Sequence, residues 1–178
     1  MTDMARRALI VGAGAASLAG KSAPSATIGA PAPPFNLLTF EFKKVQYPEL
    51  RGQVIMLNYC ATWCAPCRIE LPMLNAFYQR HSTQGLRIFA VKSEADNRNN
   101  QDLIALSKAL AFPLVWHLNG KGYGEIGGAL PTNYVIDRSG VLRYAKAGAF
   151  EDLAGLDEVV GPLLKEPALA APPTASPT

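Results

Sequence analysis

Residues 58–67 read Asn-Tyr-Cys-Ala-Thr-Trp-Cys-Ala-Pro-Cys, and this run directs the interpretation of the whole chain. An apolar, strand-like segment from Val54 to Tyr59 leads into it, and a helix-compatible segment starts at Ala65. Cys64 is therefore expected at a helix N-terminus, where backbone N–H groups and the helix dipole stabilise a thiolate. Cys67 follows one helical turn later, close enough to attack a mixed disulfide formed on Cys64. The pair predicts thiol–disulfide exchange.

A Cys-x-x-Cys pair can also belong to a metal or haem site. A zinc site needs two further ligands at matched spacing, but no second Cys-x-x-Cys occurs and His81 and His117 lie far apart in the sequence. Haem attachment needs His directly after the second Cys, where this chain has Arg68. Redox exchange is therefore favoured. The alternative from another class is a copper or zinc carrier that uses all three cysteines, Cys60 included.

The composition indicates one globular domain. The chain has 178 residues, of which 49% are hydrophobic and 17% charged, enough for an ordinary core. The net charge of +3 falls to +1 from Ser22 onward, because Arg6, Arg7 and Lys21 outweigh Asp3 before it. No basic patch remains that would favour nucleic acid as a partner. Three cysteines do not make a disulfide framework.

Residues 1–26 predict an export signal peptide or, alternatively, an N-terminal membrane anchor. Arg6 and Arg7 give a positive start, and residues 8–20 form an uncharged stretch that is too short to span a bilayer comfortably. The paired arginines suit either the general secretory or the twin-arginine route. By either route, the folded domain is expected in a periplasmic or other extracytoplasmic space.

The rest of the chain predicts strands alternating with helices. We expect an irregular hairpin over 35–50, strands over 54–60, 86–92, 113–118, 132–137 and 141–147, and helices over 65–81, 97–111 and 151–165. The glycine-rich segment 119–128 is expected to include a short helical turn. This order predicts an α/β domain over residues 27–166, with a mixed sheet and helices on both faces. Residues 167–178, rich in Pro, Ala and Thr, predict a disordered tail.

This order, with Trp-Cys-x-x-Cys at a strand-to-helix turn, resembles the thioredoxin superfamily. The closer resemblance is to its exported TlpA/ResA-type branch, a redoxin or AhpC/TSA-like domain. The stretches that carry the resemblance are 29–35, 50–58, 63–72 and 130–140. It implies a thioredoxin fold with an N-terminal hairpin and a central helical insertion.

Cys60 departs from the branch's pattern, which usually has an aromatic residue at this position. We interpret Cys60 as a small buried hydrophobe at the end of a core strand. The alternative is a third redox-active thiol near the active site. An apolar environment argues against this alternative, because it raises the pKa of a thiol and makes it less reactive.

The pattern also predicts roles for the residues around the motif. Cys64 is the predicted nucleophile and Cys67 the resolving thiol. Ala65 and Pro66 lie between the two cysteines and are predicted to tune the reduction potential. Trp63 is predicted to be a partly exposed aromatic side chain that contacts the target peptide.

Two further positions owe their roles to the resemblance. A Glu on a helix is ordinarily solvated, but the branch places an acid at the position of Glu70 that influences the thiols. Such a carboxylate would disfavour thiolate and exchange a proton with the cysteines. The resemblance also implies that Pro131 is cis and packs beside the disulfide. The Leu130 backbone would then be available to pair with a bound peptide.

The sequence as a whole predicts an extracytoplasmic thiol:disulfide oxidoreductase that needs no cofactor beyond the Cys64–Cys67 pair. By resemblance, it reduces target proteins such as apocytochrome c or proteins with copper-site cysteines, and it receives electrons from a membrane donor. A thioredoxin-fold peroxidase is the alternative within enzymes. That class has Thr or Ser three residues before its reactive Cys, where this chain has Ala61.

Overall fold

A seven-stranded mixed sheet with three α-helices forms the part of the chain described by the computed structural model, residues 26–97 and 100–167. The strands are β1 (Phe35–Thr39), β2 (Lys44–Gln46), β3 (Val54–Cys60), β4 (Leu86–Lys92), β5 (Leu114–Gly120), β6 (Thr132–Ile136) and β7 (Leu142–Ala147). The helices are α1 (Ala65–His81), α2 (Asn100–Ala109) and α3 (Leu153–Lys165), with short 3₁₀ turns at Tyr47–Leu50, Ser82–Gln84 and Ile126–Gly128. The predicted export segment and tail lie outside the described residues, except for Ala26 and Pro167. None of the described helices is long and apolar enough to cross a membrane.

Strand β3, which leads into the cysteine turn, lies inside the sheet between β4 and β6. The strand order is β2-β1-β5-β4-β3-β6-β7, in which β3, β4 and β5 run parallel and the other neighbours pair antiparallel. All seven residues of β3 are buried, because both faces of this strand are covered. The turn that carries the cysteines therefore begins at the end of a buried inner strand.

Buried side chains form two clusters on opposite faces of this sheet. Val54, Met56 and Cys60 of β3 join one cluster, which also holds the buried apolar residues of all three helices. Ile55 and Leu57 face the other cluster. The alternation follows from the two-residue period of a strand.

The mixed sheet flanked by helices is as predicted, with one difference. Helices were expected on both faces, whereas the buried apolar residues of the described helices all lie in one cluster. The N-terminal segment, the turn at Tyr47–Leu50 and Tyr123 contribute to the opposite cluster instead. The segment 119–128, which was expected to include a short helical turn, forms the turn Ile126–Gly128, and its glycines disfavour a longer helix because they would lose too much backbone freedom in it.

Helix α2 is shorter than predicted. The periodicity predicted a helix over 97–111, and the structure ends it at Ala109. Pro113 disfavours helical backbone at the residue before it, so the chain leaves the helix early to enter β5.

Candidate redox site

Cys64 and Cys67 form a disulfide at the start of α1, with their Cα atoms 5.3 Å apart. Cys64 is the N-cap residue of the helix, and its Sγ accepts a hydrogen bond from the backbone N–H of Cys67 at 3.2 Å. Once the disulfide is reduced, this N–H and the helix dipole favour the thiolate of Cys64 over its thiol. The predicted position of Cys64 at a helix N-terminus is confirmed.

The two sulfurs differ in access from solvent. Cys64 is 5% exposed and Cys67 is fully buried, while Trp63 beside them is 44% exposed. Ala65 and Pro66, which separate the cysteines, are exposed. An incoming sulfur can therefore reach Cys64 first, between the side chain of Trp63 and the exposed start of the helix.

The segment Leu130–Pro131 enters β6 beside this turn. Its peptide bond is cis, as the resemblance implied. The register pairs Tyr59 of β3 with Thr132 of β6, so Pro131 lies level with the end of β3. Leu130 packs against the cluster that contains both cysteines of the disulfide. The fold thus brings the predicted peptide-binding segment to the same end of the sheet as Cys64.

Glu70 is buried against the sheet, not solvated, with a relative exposure of 1%. Its Oε1 accepts hydrogen bonds from Asn133 Nδ2 at 2.9 Å and from the backbone N–H of Phe150 at 2.8 Å. Its Oε2 accepts a hydrogen bond from Asn58 Nδ2 at 2.7 Å. The carboxylate is therefore held by three neutral donors from three different elements.

Burial raises the pKa of Glu70 above its ordinary value, although the hydrogen bonds from Phe150, Asn133 and Asn58 oppose the shift. A helix rises about 1.5 Å per residue, which places Glu70 roughly 4.5 Å along the axis from Cys67. A charged Glu70 one helical turn from Cys67 opposes thiolate formation, while a neutral Glu70 carries a proton for transfer to the thiols.

Two asparagines that hold Glu70 were not predicted from the sequence. Asn58 and Asn133 are directly paired across β3 and β6, and Asn58 Nδ2 also donates to Asn133 Oδ1 at 2.8 Å. Asn58 offered a signal, because it is the one polar residue in the apolar run Val54–Cys60 and a buried amide needs a partner. Asn133 offered none, since the sequence does not reveal which strand lies beside β3.

Cys60 is 1% exposed and forms no disulfide within the described residues. Burial is the main cause that raises the pKa of the Cys60 thiol to about 12, and Glu70 and Asp96 add to it. Near neutral pH this thiol is protonated and unreactive. The structure therefore supports the interpretation of Cys60 as a small buried hydrophobe. In the part of the chain that is described, no group of three His, Cys, Asp or Glu side chains is placed to hold a metal ion.

A Cys-x-x-Cys disulfide at the first turn of a helix, beside a cis-proline loop on a mixed sheet, defines a thioredoxin-fold protein. Solved structures agree. The chain is similar to StoA from Bacillus subtilis, with a TM-score of 0.55 and 27% identity, over 74% of this chain and 98% of that one. It is also similar to a thiol:disulfide interchange protein of the thioredoxin family from Chlorobium tepidum TLS, with a TM-score of 0.64 and 26% identity, over 76% of this chain and 96% of that one.

Within this class, the chain belongs to the AhpC/TSA family, whose model matches residues 28–145. Relatives with 32% identity include the thiol-disulfide oxidoreductase ResA of Bacillus thuringiensis (strain Al Hakam), matched over 114 residues, and ResA of Geobacillus thermodenitrificans (strain NG80-2), matched over 117. These matches cover 64% and 65% of this chain, and 65% and 67% of the two relatives. The chain thus spans slightly less than two thirds of the first relative. The resemblance to the ResA type is confirmed.

Proposed function

We propose that this chain is an extracytoplasmic thiol:disulfide oxidoreductase that reduces disulfides in target proteins through Cys64 and Cys67. The observation that carries the proposal is the placement of the Cys64 sulfur at the N-terminus of α1, where it accepts an N–H and is paired with a buried Cys67. The names of the ResA relatives support the same chemistry.

The reaction begins from the dithiol form. The Cys64 thiolate attacks one sulfur of a target disulfide, which forms a mixed disulfide and releases the second target sulfur as a thiolate that takes up a proton. Cys67 then loses its proton and attacks Cys64 Sγ, which forms the Cys64–Cys67 disulfide and releases the first target sulfur as a thiol after protonation. Two electrons pass from the chain to the target.

Glu70 is the proposed proton acceptor for Cys67. A buried thiol one turn before Glu70 has no direct route to solvent, and it must lose a proton before it can attack. Glu70, with its pKa raised by burial, can take that proton without a strongly unfavourable transfer and return it during the next reduction.

Residues around Cys64 bind the target segment in this proposal. Trp63 presents an exposed aromatic surface, and the Leu130–Pro131 segment offers backbone groups for pairing with an extended peptide. Ala65 and Pro66 influence the reduction potential through the backbone between the two sulfurs.

We also propose that residues 1–26 export the chain or anchor it in a membrane, that 27–166 form the catalytic domain and that 167–178 are a disordered tail. Export matches a reductant whose targets, such as apocytochrome c or copper-site cysteines, would otherwise become oxidised. Such a reductant needs a membrane donor that delivers electrons from the cytoplasm. Arg6 and Arg7 before an uncharged stretch support the export route.

The reduction potential of the Cys64–Cys67 pair tests the direction of electron flow. A value near thioredoxin's potential of about −270 mV supports a reductant, and a value near about −120 mV would make the protein an oxidant instead. Reduction of a disulfide-bonded protein substrate should be lost in Cys64→Ser. Consumption of peroxide by the reduced protein in preference to protein disulfides would favour the peroxidase alternative.

A further inference from the structure

Phe42, at the tip of the hairpin between β1 and β2, has an unusual conformation and an unusual exposure. Its φ is +61°, and it is the only non-glycine residue with positive φ among the described residues. A bulky side chain rarely adopts this left-handed backbone, because Cβ then crowds the neighbouring peptide. Its exposure of 82% is the largest of any large hydrophobic side chain in the described ranges.

Backbone hydrogen bonds hold the turn in this conformation. The N–H of Phe42 donates to the carbonyl of Thr39 at 3.0 Å, and the N–H of Thr39 donates to the carbonyl of Lys43 at 2.9 Å. The turn thus projects the ring away from the protein. Strained backbone and an exposed aromatic ring both cost stability, and a site that combines them is a candidate for a function outside the fold.

Other exposed apolar side chains lie next to this tip. Trp116 is 40% exposed, and its ring packs against Phe40 with the ring centroids 5.3 Å apart. Ile104 on α2 is 41% exposed and lies one turn before Ser107, whose hydroxyl donates to Glu41 Oε1 at 2.9 Å. The hairpin and α2 together therefore present a broken apolar surface, not a single ring.

Three exposed lysines lie on the same two segments as Phe42 and Ile104. Lys43 and Lys44 follow Phe42, Lys108 follows Ser107 on α2, and all three lysines are exposed. An acid, Glu41, lies beside them. Partial burial would raise the pKa of Glu41, but hydrogen bonds, including the one from Ser107, and the charge of Lys43 outweigh it, so the pKa is lowered. Glu41 is thus ionised but turned onto α2. We define the tip surface as Phe42, Lys43, Lys44, Ile104, Lys108 and Trp116.

We propose that the tip surface docks the protein onto an anionic lipid bilayer. The ring of Phe42 would enter the boundary between headgroups and acyl chains, where aromatic side chains are favoured, while the lysines remain with the lipid phosphates. A protein partner fits less well, because stable protein interfaces bury about 800 Å² on each side around a packed centre. The tip is narrow and its apolar side chains are separated by lysines.

A single indole at the tip reads this docking directly. In full-length protein with Trp63→Phe and Trp116→Phe, Phe42→Trp places the only indole at the turn. Vesicles of phosphatidylcholine mixed with phosphatidylglycerol should shift its emission to the blue, and lipids brominated in the upper acyl chain should quench it. Pure phosphatidylcholine should have little effect, and added salt should weaken the response. Ile28→Trp in the same background is the matched control and should not respond. Ile28 is 59% exposed and precedes Gly29, which bonds to β7 at the sheet edge opposite β2.

Two natural-background variants separate docking from folding. Phe42→Gly should lower partitioning to anionic vesicles by about tenfold or more, since it removes an aromatic ring, and should leave thermal stability unchanged or higher, since glycine accepts positive φ. Lys43→Glu/Lys44→Glu should also weaken partitioning, whereas Lys121→Glu/Lys146→Glu, the same change of charge elsewhere, should not.

The proposal is overturned if the indole at position 42 gives no response to anionic vesicles or an equal response to neutral ones. Equal partitioning of Phe42→Gly and the unchanged chain also overturns it. Saturable binding of a soluble acidic protein that Phe42→Gly abolishes, with no vesicle response, would assign the surface to a protein partner.

Discussion

At the scale of single residues, the unequal access of the two sulfurs predicts which cysteine forms the mixed disulfide. Cys67→Ser should trap covalent complexes with oxidised target proteins, because the reachable Cys64 can still attack but nothing resolves the product. Cys64→Ser should trap few or none. Non-reducing electrophoresis and mass spectrometry of the complexes measure the difference, with Cys60→Ser as the control that should behave like the unchanged chain. Trapping by Cys64→Ser alone would reverse the assignment.

Glu70 predicts a pH dependence of the thiols. Its pKa is raised by burial, so it loses its proton only above the ordinary range for a Glu, and from there upward its charge opposes thiolate formation nearby. Glu70→Gln removes that charge, so the pKa of Cys64 should fall, and the difference from the unchanged chain should shrink at low pH where Glu70 is neutral.

Thiolate absorbance and alkylation rate of the reduced protein, followed across pH, measure this effect. Glu158→Gln, an exposed acid on α3, is the matched control and should change neither measurement. Identical titrations for Glu70→Gln and the unchanged chain would remove Glu70 from the proton path.

Sequence alone could identify the sulfurs but not the environment of Glu70. The Cys-x-x-Cys spacing and the apolar strand before it were sufficient to place Cys64 at a helix start. The burial of Glu70 depends on donors that lie 12 and 63 residues away along the chain. Such distant pairings follow from the fold. The influence of Glu70 on the thiols was therefore predicted only from the family resemblance.

At the scale of elements, the contact of α1 with the paired strands β3 and β6 predicts unequal roles for the two asparagines. Among the described residues, Asn58 is the donor to Glu70 Oε2, whereas Oε1 keeps the N–H of Phe150 if Asn133 is lost. Asn58→Ala should therefore raise the pKa of Glu70 further and lower the thiol pKa more than Asn133→Ala does.

Thiol titration of the two reduced variants measures the difference, and urea unfolding should show a loss of about 1–3 kcal/mol for each buried amide. Asn58 Oδ1 has no hydrogen-bond partner among the described residues. The double variant Asn58→Ala/Glu70→Gln should then titrate like Glu70→Gln alone, because Asn58 acts on the thiols through Glu70. A further shift in the double variant would contradict this order.

The elements themselves were largely predictable, while their arrangement was not. The unbroken apolar run of β3 indicated a central strand, and the period of Leu71, Leu74 and Phe77 indicated the buried face of α1. The face of the sheet on which each helix packs depends on the crossover connections. The expectation of helices on both faces was wrong, because the described helices all bury their apolar residues in one cluster.

At the scale of the whole molecule, Arg138 links three distant segments. Its guanidinium donates to the carbonyls of Gly52 at 2.8 Å, Gln84 at 2.7 Å and Leu164 at 3.0 Å. These carbonyls lie before β3, after α1 and at the end of α3. Arg138→Met should lower the free energy of unfolding by about 2–4 kcal/mol, since three buried carbonyls lose their donor.

Urea unfolding measures this loss. Arg80→Met is the matched control: Arg80 is an exposed side chain on α1, so its removal should cost at most about 1 kcal/mol. The reduction potential of Arg138→Met should stay unchanged, because Gly52 precedes β3 and the disulfide follows its other end. A changed potential with an unchanged stability would contradict this assignment.

Because Cys60 is buried, the number of thiols that react with an external reagent should differ between the folded and the unfolded protein. To an alkylating reagent, the folded and reduced protein should behave as a one-cysteine chain, because Cys64 is the reachable thiol, and denaturant should expose the other two. In the Cys64→Ser/Cys67→Ser variant, the slow modification of Cys60 reports how often the core around β3 opens. The rate of Cys60 modification, followed by mass spectrometry, therefore gives the free energy of this local opening. Rapid modification of Cys60 in the folded protein would contradict its burial.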